Sequence, residues 1–411
     1  FVRDLLLNMP SLDFDIVVEG DAIRFAQSLK TRYGGSISTH RRFGTAKWRI
    51  KQNNGWLKNM FPQLTDDDLS KLPETLDLIS ARNEFYDYPT ALPQIKHSSI
   101  KQDLHRRDFT INTLALRLDG DHYGDLYNYW GGYEDLNAGL IKVLHSLSFV
   151  DDPTRLIRAI RFEQRFKFKI EERTFQLMSE AYDLVKHISG DRLRHELNLI
   201  LQEKDPQPGL LRLQELGLLK QIHNDLNINP KIAADIFKIL NLSLSDLDHH
   251  LFNGQILEEP LKLAYITWFM QLEGNLSQVL KRLKLPDSVA QPSLKANKAF
   301  RQYPEFLGKQ PSVITAFLDT LSEEVLLVFH EVINDQSLNH SINQYISSWS
   351  KMKPTTTGDD LRSLGITPGP VYKEILSELR DAWINGLINS PETEQDYLDH
   401  LLFQKQIPGF N

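Results

Sequence analysis

The chain has 411 residues, 41% of them hydrophobic and 25% charged, with no cysteine and a formal net charge of −7. That composition excludes a disordered chain, a collagen and a coiled-coil fibre. The lack of cysteine excludes a disulfide framework, a zinc–thiolate site and a cysteine nucleophile, and is compatible with the cytoplasm, where the chain is expected to work. The acidic balance argues against coating by nucleic acid, so any phosphate backbone has to meet a local basic patch.

No apolar run approaches the ~20 residues needed to cross a bilayer, and no secretory signal is visible. Phe1-Val2-Arg3-Asp4 reads as the middle of an element, so further residues are expected upstream. Phe14 to Val18, β-branched and apolar, predicts a strand that ends at Gly20-Asp21. Ala22 to Thr31 has helical spacing. Ser36 to His40, Thr45 to Ile50 and Leu76 to Ile79 predict three more strands. The polar stretch Lys51 to Pro73 predicts a surface loop with one short helix. Arg82 to Ser99, with Pro89 and Pro93, predicts a loop. After Thr110 the chain is expected to be almost wholly helical, with helices over Thr154–Phe166, Glu172–Lys186 and Arg192–Glu203. Pro153 marks a helix start, where its missing N–H does no harm. Breaks are expected near Pro206, Pro230, Pro260, Pro286 and Pro292. The residues thus predict a small α/β head and a long helical body.

Three patterns carry chemistry. Asp13-Phe14-Asp15 places two carboxylates on one side of a strand, where they repel unless a cation neutralises them. Paired hard oxygens suit Mg²⁺, which binds one or two carboxylates together with substrate phosphates. Asp77 is a candidate third carboxylate, and Arg3 a candidate phosphate ligand. The second pattern is His105-Arg106-Arg107-Asp108-Phe109-Thr110-Ile111-Asn112: arginine forks grip phosphate, and Asp or Asn can bond a ribose hydroxyl. In the third, Asp151-Asp152-Pro153-Thr154-Arg155 is followed by Arg158 and Arg161, three arginines on one helix face without acids spaced to match. Asp152 and Arg155 suggest a base-reading pair. A carboxylate accepts from an exocyclic amine and an arginine donates to a ring nitrogen. That pattern fits cytosine and adenine and leaves uracil and guanine with unpaired polar groups.

In this order, these elements resemble the class II tRNA nucleotidyltransferase and bacterial poly(A) polymerase family. Gly131-Gly132 with Asp135-Leu136 is similar to its hinge motif, and Arg192 to Glu196 to the helix that closes its neck. The resemblance implies an α+β fold: a mixed-sheet nucleotidyltransferase head (1–118), then an all-helical neck (119–204), body (205–350) and tail (351–411). It implies Mg²⁺ on Asp13 and Asp15 and phosphates on Arg3. The incoming nucleotide is expected at Arg107, Asp152, Arg155, Arg158 and Arg161, and its ribose at Asp108 beside Asn112. The implied reaction is two-metal attack of the tRNA 3′-hydroxyl on the α-phosphate of ATP or CTP, with no membrane partner. Three positions depart from the family pattern: its glycine pair would precede Phe1, Asp151 stands where glutamate is usual, and Lys142 replaces an arginine.

Family members add CCA, CC, A or poly(A). The stretch Ala81 to Pro93 holds the flexible-loop position at full length, which disfavours CC-only addition, and its wording resembles the A-adding lineage. A-adding and CCA-adding activity both stay open, with poly(A) synthesis behind them. From another class, a catalytically inactive RNA-binding scaffold is argued against by the intact Asp13/Asp15 pair. A phosphohydrolase would need a His-Asp cluster, which the chain does not display. The turn from Gly358 to Pro370 is read as a packing corner, His249-His250 as surface, and Trp268 and Phe269 as core.

Overall fold

The computed structural model describes the whole chain except residues 11–13, 51–55, 71, 86–93, 244–250, 253 and 406–411. Asp13, Lys51 to Gly55, the stretch from Tyr86 to Pro93 and His249-His250 therefore lie outside the described residues. Two compact units divide the chain, Phe1–Glu196 and Leu197–Asn411. Among the described residues no helix is long and apolar enough to span a membrane.

The first unit opens with a short helix, α1 (Val2–Leu6), then β1 (Asp15–Val18), α2 (Ala22–Tyr33), β2 (Ser36–His40) and β3 (Thr45–Arg49). Two short helices follow, α3 (Trp56–Met60) and α4 (Asp66–Ser70), where one was expected, and then β4 (Thr75–Ser80). The four strands form one sheet in the order β1-β4-β3-β2, parallel between β1 and β4 and antiparallel elsewhere. Strand alternation decides its two faces. Ala46, Trp48 and Leu78 form a core with Ala22 and Ala26 of α2. The intervening residues Lys47 and Asp77 fall on the opposite face, paired across β3 and β4. Asp15 is in register with Asp77 on β4. Gly35, at φ +88°, lets the entry to β2 pass against β3, because a Cβ there would lie 2.4 Å from the Arg49 carbonyl oxygen. Asp21 caps α2 by accepting from the Ile23 and Arg24 N–H groups.

The segment expected as a loop from Arg82 to Ser99 instead carries an antiparallel pair, β5 (Arg82–Phe85) and β6 (Gln94–His97). The prolines that spoke against strands, Pro89 and Pro93, fall between the two and leave the ladder intact. Then come α5 (Ile100–His105), a 3₁₀ turn at Thr110–Asn112, the short pair β7 (Ala115–Leu116) and β8 (Leu126–Tyr127), and α6 (Gly132–Ala138). The remainder of the unit is β9 (Leu140–Ile141), α7 (Ser148–Asp151), α8 (Thr154–Phe166), β10 (Lys169–Ile170) and α9 (Glu172–Ala181). Helix α9 gives way to a 3₁₀ turn at Tyr182–His187 where a continuous helix was expected. Helix α10 (Gly190–Leu201) follows.

In the second unit α11 (Gln207–Glu215), α12 (Leu218–Ile222) and α13 (Pro230–Leu240) precede α14 (Pro260–Met270). Every residue of α14 from Leu263 to Met270 is buried, Trp268 and Phe269 included, as in a helix surrounded by its own core. After α15 (Leu276–Arg282), helices α16 (Asp287–Gln302), α17 (Pro311–Leu318), α18 (Glu323–Val332) and α19 (Gln336–Ser347) share a core with Leu263, Ile266 and Met270 of α14. Pro292, expected as a break, lies inside α16. Asn297 of α16 donates to the Phe269, Met270 and Leu272 carbonyls, so it satisfies the C-terminal end of α14.

The last three helices, α20 (Gly358–Ser363), α21 (Pro370–Ile384) and α22 (Pro391–Gln404), share a separate core that includes Leu361 and Ile366. The turn between α20 and α21 is therefore a packing corner, closed by the Tyr372 hydroxyl on the Ile366 carbonyl at 2.8 Å. Glu394 of α22 is buried and accepts from the Thr355 and Thr356 N–H groups, the Thr356 hydroxyl and the Trp383 indole. Burial alone would raise its pKa, but these donors bring it down from 4.5 to about 2. A depressed carboxylate contributes stability that is complete above about 4.5 and fades as pH falls towards about 2. Glu394→Gln is therefore expected to destabilise this helical trio by about 1–3 kcal/mol at neutral pH. It should also flatten acid unfolding in that window, read by tryptophan fluorescence during an acid titration.

Candidate nucleotide-binding cleft

The side chains singled out in the sequence converge on one cleft of about 810 Å³ in the first unit. Arg3, Asp15, Arg107, Asp108, Asn112, Asp152, Arg155, Arg158 and Arg161 all line it. Asp77 does not line it but neighbours Asp15 across the parallel strand pair. Eight arginines and six carboxylates line the cleft, a local positive excess on a chain whose net charge is −7.

Helix α8 forms one wall. Leu156, Ile157, Ala159 and Ile160 are buried, which turns Arg155, Arg158 and Arg161 to the cleft side. The stripe does have acidic partners, but they come from other elements. Arg158 donates through Nε and Nη2 to Asp108 Oδ2 at 2.9 and 2.6 Å, and its Nη1 lies 3.7 Å from Glu196 Oε1. Asp108 also accepts from Asn112 Nδ2 at 2.7 Å. Burial alone would raise the Asp108 carboxyl, yet the Arg158 charge and these hydrogen bonds hold it below the usual carboxylate range. Burial would lower the Arg158 guanidinium, and Asp108 and Glu196 raise it instead. Glu196 itself is pushed up, chiefly by burial, against the pull of Arg158 and Arg161.

Asp152 accepts from the Thr154 N–H and hydroxyl and from Arg192 Nη2, and all three bonds fall on Oδ1. Arg155 is 6% exposed and donates to the Ser148 hydroxyl at 2.6 Å and the Arg106 carbonyl at 2.8 Å. Arg3 bonds Asp4 and Asn112 and sits over the Phe162 and Phe166 rings at 5.1 and 4.6 Å. Burial lowers its guanidinium pKa against the opposing pull of Asp4.

Other side chains complete the site. Asp103 of α5 is fully buried and grips Arg106 through Nε and Nη2 at 3.1 and 2.9 Å, with Arg107 Nη2 at 3.7 Å. It aims the arginine pair from three and four residues upstream, a helical spacing visible in the sequence, while its complete burial appears only in the fold. Arg165 lines the cleft one turn beyond Arg161, so the helical period of the stripe already pointed to it. Arg192 and Glu196 belong to the helix motif quoted in the sequence, and their partners Asp152 and Arg158 appear only in the fold. Behind the turn that gives Ile111 and Asn112 to the cleft lies Gly132, where a Cβ would be 2.2 Å from the Thr110 carbonyl oxygen. Helix α6 thus packs directly on the 3₁₀ turn that carries Asn112, and the Thr110 hydroxyl donates to Asp135 at 2.6 Å.

Asp15 and Asp77 fit a hard divalent cation. They stand side by side in register, and Asp77 Oδ1 is a buried oxygen with no hydrogen-bond partner. Lys47 Nζ is 3.3 Å from it, within ion-pair range but angled so that no hydrogen bond forms. Among the described residues no group of three or more His, Cys, Asp or Glu gathers for a metal. Two carboxylates with substrate phosphates are enough for Mg²⁺.

Comparison with known proteins agrees with this geometry. Residues 1–142 match the Poly A polymerase head domain, and residues 167–229 match a probable RNA and SrmB-binding site of polymerase A. An A-adding tRNA nucleotidyltransferase from Geobacter sulfurreducens is 36% identical over 404 residues, 94% of this chain and 42% of that protein. One from Halalkalibacterium halodurans is 32% identical over 410 residues, 97% of this chain and 85% of that protein. The chain thus spans less than half of the first relative and most of the second. A solved CCA-adding enzyme in an apo form superposes with a TM-score of 0.76 at 30% identity, over 98% of this chain and 90% of that one.

Proposed function

The chain belongs to the class II tRNA nucleotidyltransferase family, and from that premise we propose that it adds nucleotides to the 3′ end of tRNA, with AMP as the principal addition. The observation that carries this reading is the single cleft that joins Asp15 to Asp108, Asp152, Arg155 and Arg158. The A-adding activity named for two relatives supports AMP over a mixed CCA addition.

Each group has a task that follows from its surroundings. Asp15 and Asp77, with Asp13 upstream, would hold Mg²⁺, which when bound supplies charge neutralisation at the phosphates and acidifies the attacking hydroxyl. Arg107 and Arg161 present guanidinium groups to the triphosphate, where planar forks match phosphate oxygens. Asp108, kept ionised by Arg158 and Asn112, accepts from a ribose hydroxyl. Arg3 stiffens the floor, because its bonds to Asp4 and Asn112 occupy much of its donor capacity. Asp152 and Arg155 read the base edge. Arg192 and Thr154 fix Asp152 through Oδ1, so Oδ2 carries none of those three bonds. The protein thereby selects the base without a template strand.

Asp152→Asn tests the base-reading pair. The amide adds a donor where only an acceptor stood, so adenine loses its preference by roughly 1–3 kcal/mol, about 5- to 150-fold against guanine. Extension rates with ATP and GTP measure it; an unchanged ratio removes Asp152 from base reading.

The activity is tested with full-length protein, Mg²⁺ and three tRNA transcripts that end before CCA, after the first C and after CC. Each receives ATP, CTP or both. Extension of the CC-ended transcript alone, by one A, supports the proposal. Completion of all three to CCA means a full CCA-adding enzyme, and a long A ladder a poly(A) polymerase. Binding without extension leaves only an RNA-binding scaffold.

A further inference from the structure

Arg155 is placed in the base-reading pair, yet three of its contacts are to the protein itself. Its Nη1 donates to the Ser148 hydroxyl at 2.6 Å and reaches the Ser148 carbonyl at 3.4 Å. Its Nη2 donates to the Arg106 carbonyl at 2.8 Å. These acceptors come from two separate segments, and both Nη atoms are held at once. A planar guanidinium bonded at both ends has one orientation left. Its remaining N–H groups are then held in a fixed plane without a further loss of rotamer freedom.

Ser148 is well suited to this part. It is 0% exposed and opens α7, the one-turn helix whose last residue precedes Asp152. Its carbonyl also accepts from the Asp152 N–H at 3.2 Å. One residue therefore touches both members of the pair, Arg155 by its side chain and Asp152 by its backbone. Phe149, 1% exposed, anchors the same turn in the core.

We propose that Ser148 is a positioning residue for nucleotide choice, holding the Arg155 guanidinium from behind so that its free edge meets the incoming base at a fixed angle. The inference rests on the base-reading role proposed above for Arg155. Without the hydroxyl, the charged Nη1 keeps only a long contact to a carbonyl. The guanidinium can then rock between orientations, some of which suit a wrong base.

The test is the ratio of kcat/KM for ATP over GTP on a CC-ended tRNA, in full-length protein. A variant that merely folds less well loses active fraction for both nucleotides equally, so the ratio does not move. Ser148→Ala is expected to lower the ratio about tenfold, the size expected for a lost hydrogen bond to a charged group. Ser148→Thr, which keeps the hydroxyl, is expected to restore it. In an Arg155→Ala background, Ser148→Ala is expected to change the ratio no further, since coupled residues are non-additive. An unchanged ratio in Ser148→Ala overturns the proposal, and so does a full further loss in the Arg155→Ala background. If Arg155→Ala itself discriminates as wild type does, the base-reading assignment fails and takes this inference with it. That result is distinct from a ratio that drops in Arg155→Ala and holds in Ser148→Ala.

Discussion

Asp15→Asn is expected to reduce nucleotide addition by ~10³-fold or more, equivalent to about 4 kcal/mol of transition-state stabilisation. The carboxylate lines the cleft and stands beside Asp77 on the neighbouring strand. An amide of the same shape keeps the strand but withdraws one of the negative charges a divalent cation needs. Stability should move the other way or not at all. Like charges opposite one another on adjacent strands repel, by roughly 0.2–1 kcal/mol, and the substitution removes one of them. A thermal melt beside the extension assay separates the two effects. A near-wild-type rate for Asp15→Asn would take Asp15 out of the reaction.

The second large effect is structural. Gly132→Ala places a methyl where the backbone carbonyl of Thr110 already lies 2.2 Å away, with a Leu114 methyl at 3.3 Å. Backbone cannot give way as a flexible side chain can, so α6 and the Thr110–Asn112 turn must separate. Overpacking of this kind costs about 1–3 kcal/mol, a fall of roughly 2–12 °C in the melting temperature of a unit this size. It also shifts Asn112, which bonds Asp108 and Arg3, so the ribose side of the cleft loses its geometry. The expected signature is a raised KM for ATP together with the lower melting temperature. Wild-type stability in Gly132→Ala would mean that α6 does not rest on that turn.

Features governed by local chemistry were legible before the fold. The β-branched run to Val18 made a strand, and Pro153 made a helix start, because backbone preference over a few residues suffices. The arginine stripe was legible for the same reason, since helical period places Arg155, Arg158 and Arg161 on one face. Partners across long stretches of chain were not. Arg158 reads as a cation without a matching acid until folding brings Asp108, fifty residues away, to 2.6 Å. Arg155 reads as open to substrate until Ser148 and the Arg106 carbonyl close on two of its nitrogens. Asp103 stands three and four residues before Arg106 and Arg107, so its pairing is readable from helical spacing, but its complete burial is set by what packs around it. The misread hairpin at Arg82–His97 shows another limit. Prolines speak against a strand only where they interrupt the ladder, and here they fall between the two paired segments.

This one cleft is proposed to select the nucleotide by itself, with protein groups alone facing the base. Equilibrium titration of full-length protein with ATP, CTP, GTP and UTP, in Mg²⁺ and without RNA, tests it most directly. ATP is expected to bind at least tenfold more tightly than GTP or UTP, and Asp152→Asn and Arg155→Ala are both expected to erase the difference. Equal affinity for all four nucleotides in the wild-type protein would contradict it.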